Sequence, residues 1–217
     1  MNRITADQLE AWISPERLHR YRTHSADTVE LYMYNAQRST HMSELILHVE
    51  VLMRNVIHRE LSSTSRAAQI PWYLDVQHYG FNRQMIRNLD KAVSTAGGPE
   101  APGGKVVAEL MFGTWRFLLS TQYQATVWPV IAHGFTGRVR SKRDRGELYA
   151  AMDYLNGVRN RCSHSEPVYH LDNATFIENI STAACYVDTA AAEWVEALWA
   201  QRGTYSPFPT APNVEHD

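Results

Sequence analysis

The chain has 217 residues, enough for one substantial hydrophobic core or at most two small ones. Hydrophobic residues make up 44% and charged residues 20%, a balance that excludes a disordered chain. A formal net charge of -2 excludes a globally basic nucleic-acid binder, so any contact with RNA must come from a local basic patch.

Helical periodicity dominates from end to end, and no series of alternating strands is visible, so the expected class is all-α. Thr5-Ala6-Asp7-Gln8 reads as a capping box that opens a short helix. Ser14-Pro15-Glu16 supplies a capping serine, a proline at the first helical position and an acid in the first turn, for a helix to about Tyr21. A longer helical region covers residues 26–61, with a break expected near Ser39-Thr40. Its apolar face carries Leu45, Val49, Leu52, Met53, Val56 and Leu61, while Glu50, Arg54 and His58 fall four apart on another face. Those three read first as an intrahelical charge ladder, and as support for an active site only if that face meets one.

Pro71-Trp72-Tyr73 marks a connection before a helix over residues 82–94. Gly97 to Gly104, rich in glycine and proline, reads as a flexible loop joining two halves of one helical domain over residues 1–203. After it, Val106, Val107, Leu110, Met111, Phe117 and Leu118 mark one amphipathic helix, in which Gly113 costs about 1 kcal/mol relative to alanine and implies close packing. A helix over residues 123–133 follows, kinked at Pro129, and then the densest basic run: Arg138, Arg140, Lys142, Arg143 and Arg145. Such a run is ordinarily a solvated loop; Arg140, Lys142 and Arg143 are the candidates for RNA-backbone contact.

The next helix, over residues 147–162, buries Leu148, Met152, Leu155 and Val158. A final helix carries Ile177, Ile180, Ala184, Val187, Ala191, Trp194 and Leu198, a stripe that suits a bundle seam or a dimer interface equally. Residues 204–217 read as a disordered tail. Two cysteines, Cys162 and Cys185, are too few for a disulfide framework. With no apolar leader at the N-terminus and no apolar run approaching roughly 18 residues, a cytoplasmic protein without membrane contact is expected.

The chemistry concentrates in Arg159-Asn160-Arg161-Cys162-Ser163-His164. A guanidinium can hold a phosphate and neutralise the charge developing on it. An imidazole can move a proton at near-neutral pH. On an ideal helix Asn160 and His164 share a face, whereas Arg159 lies about 140° round from His164. Pro167 disfavours helical geometry at Glu166, so the helix should end close to His164. A distorted last turn, or a second copy of the segment from a partner chain, would reunite the two groups. The competing structural reading is a charged helix end with a capping histidine.

The order Arg, a polar residue, three more residues, then His resembles the signature of the HEPN ribonuclease superfamily. More broadly, the chain resembles the Abi-like bacteriophage abortive-infection family placed within it. The resemblance rests on Pro15-Glu16-Arg17-Leu18 with Tyr21, on Leu31 to Asn35, on Glu50 to Asn55, on Val107 to Trp115, on Trp128, and on Leu155 to Tyr169. It implies a HEPN-type helical bundle with additional helices, acting as a metal-independent endoribonuclease in antiphage defence. It also implies a homodimer with a composite cleft, and a noncoding-RNA or protein antitoxin as a further partner. Catalysis would fall to Arg159, Asn160 and His164, RNA contact to Arg161, and support to Glu50 and Arg54, with no cofactor.

Two positions depart from the pattern. Ser165 stands where a second histidine is frequent, leaving one imidazole there, and Gly113-Thr114-Trp115 replaces a Gly-Phe-Trp-like element. Arg54 to His58 echoes the motif but is one residue short. A metal hydrolase using Cys162, His164 and His170 is a weaker rival, because their spacing matches no zinc pattern. The alternative of a different class is a non-catalytic helical module that binds RNA or protein in a defence or toxin–antitoxin system.

Overall fold

The computed structural model describes residues 4–64, 66, 68–136 and 142–203, without the side chains of Lys142, Arg143 and Arg202. Arg138 and Arg140, the side chains of Lys142 and Arg143, and the expected tail at 204–217 therefore lie outside the described residues. Among the described residues there are helices and turns and no strand.

The local signals at the N-terminus act as read. Helix α1 (Ala6–Ile13) opens on the reciprocal capping box of Thr5 and Gln8. Helix α2 (Pro15–Arg22) opens on Ser14, whose hydroxyl accepts from the Arg17 amide at 3.4 Å. Helix α3 (Thr28–Ser62) then runs unbroken, without the break expected at Ser39-Thr40. Its hydroxyls return to the helix instead: Thr40 Oγ1 donates to Ala36 O at 3.0 Å and Ser43 Oγ to Ser39 O at 2.7 Å. Bonded in that way, they compete with no turn of the ladder.

Helix α4 (Arg83–Ala96) begins at Asn82, whose side chain accepts from Met85 N at 2.8 Å. It ends at Gly97, where φ is +113° and the next amide, Gly98 N, returns to Val93 O. The glycine-rich loop is shorter than expected, because Gly103 and Gly104 open helix α5 (Gly103–Ala108), fixed by the burial of Val106 and Val107. The single helix read over 106–118 is two: α5 and α6 (Phe112–Leu118). Gly113 starts α6, and a methyl group there would make ordinary contact, 3.6 Å, with Asn156 Oδ1. The helix read over 123–133 is likewise only α7 (Trp128–Ile131), with Pro129 in its first turn and 3₁₀ turns on either side.

Helix α8 (Lys142–Ser163) begins earlier than the periodicity predicts and buries Leu148, Met152, Leu155 and Val158 as predicted. The final stripe is also two helices, α9 (Asn173–Val187) and α10 (Thr189–Gly203), packed on each other. Asp188 separates them with extended backbone, and its carboxylate accepts from Ala190 N at 2.8 Å, the bond of an N-cap. Ile180 and Ala184 are buried, and Ile177, Val187, Ala191 and Leu198 pack partly buried against the main core, so most of the stripe is an internal seam, with Trp194 44% exposed at its edge.

One buried cluster gathers side chains from α3, α4, α5, α6, α8, α9 and α10, with the aromatic connections Trp72-Tyr73 and Tyr79-Gly80-Phe81 inside it. A second, smaller cluster joins Leu9, Leu18 and Tyr21 of α1–α2 to Tyr169, just past α8. The N-terminal pair is thus anchored on the segment that follows the motif.

Candidate functional site

The motif occupies the last turn of α8 and the backbone beyond it. His164 N donates to Asn160 O at 3.0 Å, Ser165 N to Cys162 O at 3.1 Å, and Glu166 N to Arg161 O at 2.8 Å. Those last two bonds form a Schellman motif, with Ser165 in the left-handed region at φ +53°. The helix therefore stops at Ser163, as Pro167 predicts, and His164 sits at the cap with its side chain exposed. Serine occupies a place that favours glycine, so the terminus is held by its surroundings as well as by local preference.

Those surroundings are two buried polar residues of α3. Asn35 Oδ1 accepts from Val168 N at 2.6 Å and from Tyr169 N at 3.0 Å. Arg38 Nε donates to Val168 O at 3.0 Å, Arg38 Nη2 to Leu171 O, and Arg38 Nη1 to Tyr34 Oη at 3.3 Å. Asn35 is 4% exposed and Arg38 9%. Segment 167–171 lies between helices with no neighbouring strand, so its backbone groups take these side chains as partners. Neither residue stands out in sequence as a site residue. The available signal is two polar side chains, spaced i and i+3, on a helix face that becomes buried.

The charges of Arg159 and Arg54 both reach Glu50 of α3. Burial pushes the Glu50 carboxyl above its ordinary range, while the Arg159 and Arg54 guanidiniums pull it back without cancelling the shift. Glu50 is thus near enough to Arg159 to feel its charge, and the supporting role expected of Glu50 and Arg54 goes no further than that. His58, the third member of the ladder, turns elsewhere: its Nδ1 accepts from Trp72 Nε1 at 3.0 Å, and burial holds its pKa below the usual imidazole value.

Arg159 is half-buried, whereas Asn160 and His164 are exposed. Among the described residues no hydrogen bond or ion pair links Arg159 with His164, so the last turn alone does not join them. Arg161 donates to Pro167 O at 3.4 Å and pairs with Glu166 at 3.8 Å, an exposed pair of small energetic weight. Arg145, from the basic run, is buried: Nη1 donates to Leu119 O at 2.5 Å, which makes it a brace between α8 and α6. Cys162 packs partly buried against the main core. Among the described residues no three His, Cys, Asp or Glu side chains gather to hold a metal ion, so Cys162, His164 and His170 form no such set.

Chemically, the arrangement presents an exposed imidazole and amide on a capped helix end, with one half-buried guanidinium whose charge reaches a carboxylate of α3. No helix among the described residues is long and apolar enough to cross a membrane. The family model described as Abi-like protein matches residues 6–170, from α1 through His170. No curated protein and no solved structure matches the chain.

Proposed function

The chain belongs to the Abi-like protein family, and we propose that it is an endoribonuclease of abortive-infection defence whose active site is the end of α8. The observation that carries this reading is the capped helix terminus itself. It offers His164 and Asn160 to solvent, with Arg159 half-buried five residues earlier and its charge acting on Glu50.

In the proposed reaction an imidazole takes the proton of an RNA 2′-hydroxyl, and O2′ attacks the adjacent phosphorus. The P–O5′ bond breaks and O5′ receives a proton, leaving a 2′,3′-cyclic phosphate and a 5′-hydroxyl. His164 is the proposed acid–base group. Arg159 neutralises charge on the phosphorane-like transition state, and Asn160 orients the phosphate or His164. Because Arg159 and His164 are not joined within one chain, the full constellation is assigned to a homodimer in which one protomer's His164 meets its partner's motif. The second proton transfer then belongs to the partner's His164. Arg161, Arg140, Lys142 and Arg143 are the proposed RNA-backbone contacts, and a noncoding-RNA or protein antitoxin is the proposed restraint.

A second reading has its own support. A half-buried Arg159 whose charge acts on the half-buried Glu50 carboxyl also suits a structural role, and a helical module that binds RNA without cutting it would keep that arrangement. Turnover of labelled structured and single-stranded RNAs in excess EDTA separates the two, with wild type compared against Arg159→Ala and His164→Ala. Cleavage by wild type, lost in both variants while RNA binding persists, supports the enzyme. Equal binding without cleavage by any of the three supports the binding module.

A further inference from the structure

Beyond the motif, the turn after α2 and segment 167–171 bring together two imidazoles to which the proposed reaction gives no role, His24 and His170. The ring of Tyr169 stands between two imidazoles, with centroids 5.6 Å from His24 and 5.4 Å from His170. One carbonyl pins two of the three: Arg20 O accepts from Tyr169 Oη at 3.3 Å and lies 2.7 Å from His24 Nδ1. A carbonyl only accepts, so His24 Nδ1 carries the proton of that bond. Arg161 binds the start of this segment at Pro167 O, and Arg38 binds it at Val168 O and Leu171 O.

His24 and His170 are exposed. The charges acting on His170 come from α8, α3 and the turn after α2, and share one sign. Partial burial lowers its pKa first, then Arg161 of α8, His24 beyond α2, and Arg38 of α3 lower it further. The nearby carboxylates are committed elsewhere. Glu166 pairs with Arg161, and Asp172 caps α9 through the Thr175 amide and hydroxyl while also feeling Arg38. A cluster whose members repel one another is relieved by a polyanion, and binding the anion draws a proton onto each imidazole.

We propose that His24, His170 and Arg161 form a phosphate-binding subsite for the RNA strand flanking the scissile bond. This rests on the ribonuclease reading of His164. His170 lies six positions after His164, at most about 22 Å away when extended. A strand reacting at His164 therefore passes the cluster within a few nucleotides.

The test uses the full chain and a single-stranded 2′-O-methyl oligonucleotide, which lacks the nucleophilic hydroxyl and cannot be cut by this route. Affinity is measured by anisotropy at pH 6 and pH 8, at one salt concentration, for wild type and for His24→Gln with His170→Gln together. Wild type should bind on the order of tenfold tighter at pH 6, and the double variant should lose that gain, with unchanged thermal unfolding. Wild-type binding indifferent to pH, or a folded double variant that binds like wild type, overturns the subsite. The two proposals fail separately. Histidine-dependent binding without cleavage of any natural RNA keeps the subsite and removes the enzyme, whereas cleavage that needs His164 alongside an unaltered double variant does the reverse.

Discussion

Replacing Asn35 with alanine should cost far more than an average helix substitution. In the native chain Asn35 Oδ1 satisfies two amides, Val168 N and Tyr169 N, on a segment that is buried at both residues. Alanine leaves both donors without a partner, and a buried polar group so orphaned costs about 1–3 kcal/mol. The sum, discounted for partial rehydration where Tyr169 nears the surface, is about 2–4 kcal/mol. Urea unfolding, followed by far-ultraviolet circular dichroism, gives the number directly. Asn35→Asp keeps an acceptor oxygen in place, with the Arg38 guanidinium on the same helix face, and should lose less than alanine does. A loss below about 0.5 kcal/mol for Asn35→Ala, the range of ordinary surface changes, would refute the claim that this side chain fixes the post-motif backbone.

Other expectations follow from the same geometry. Glu50→Gln should stabilise the protein at pH 7: the native carboxyl titrates above its ordinary value, so its stabilising contribution is complete at low pH and lost as pH rises through the native value. Thermal unfolding should therefore show the variant ahead of wild type at neutral pH, with the two converging in acid. His58 has the opposite sign, because its native pKa lies below the usual 6.5; stability is complete above that value and falls as pH drops through the native one. In His58→Phe that acid-side slope should weaken while the unpartnered Trp72 indole N–H costs about 1–3 kcal/mol, both readable from unfolding at pH 5 and pH 8. Arg145→Leu should lower stability by about 1.5–3 kcal/mol through the lost bond to Leu119 O, and leave RNA affinity unchanged in a filter-binding assay.

What could be read in the sequence was local chemistry. The capping box at Thr5-Gln8, the proline start at Pro15 and the helix stop before Pro167 each depend on residues within a few positions, and each stands where read. The helix interruptions were harder. Ser39 and Thr40 look like breakers until the i−4 carbonyls are seen to take the Thr40 and Ser43 hydroxyls. Asp188-Thr189 looks like ordinary helix until Asp188 turns out to cap α10. Residues 109–111 keep helical spacing on either side of a turn, so periodicity runs straight through the break between α5 and α6.

At the candidate site the motif was legible and its support only in part. Glu50 and Arg54 could be placed on one helix face by counting, and Glu50 on that face feels the charge of Arg159. Asn35 and Arg38 act on backbone 130 or more residues away, at Val168 and Leu171. No window along the chain carries that partnership. Nor does any local rule place Ser165 at positive φ, where glycine is the usual choice.

The proposed chemistry requires the RNA to supply its own nucleophile, and that requirement gives the most direct test of the whole account. Once a cleaved phosphodiester has been mapped, a single 2′-deoxy nucleotide is placed immediately 5′ to it, in an otherwise unchanged RNA. Attack by O2′ predicts that cleavage there disappears, that the all-ribose RNA yields a 2′,3′-cyclic phosphate, and that His164→Ala spares neither product. Cleavage that continues at the deoxy position, or that leaves a 5′-phosphate, would contradict the account.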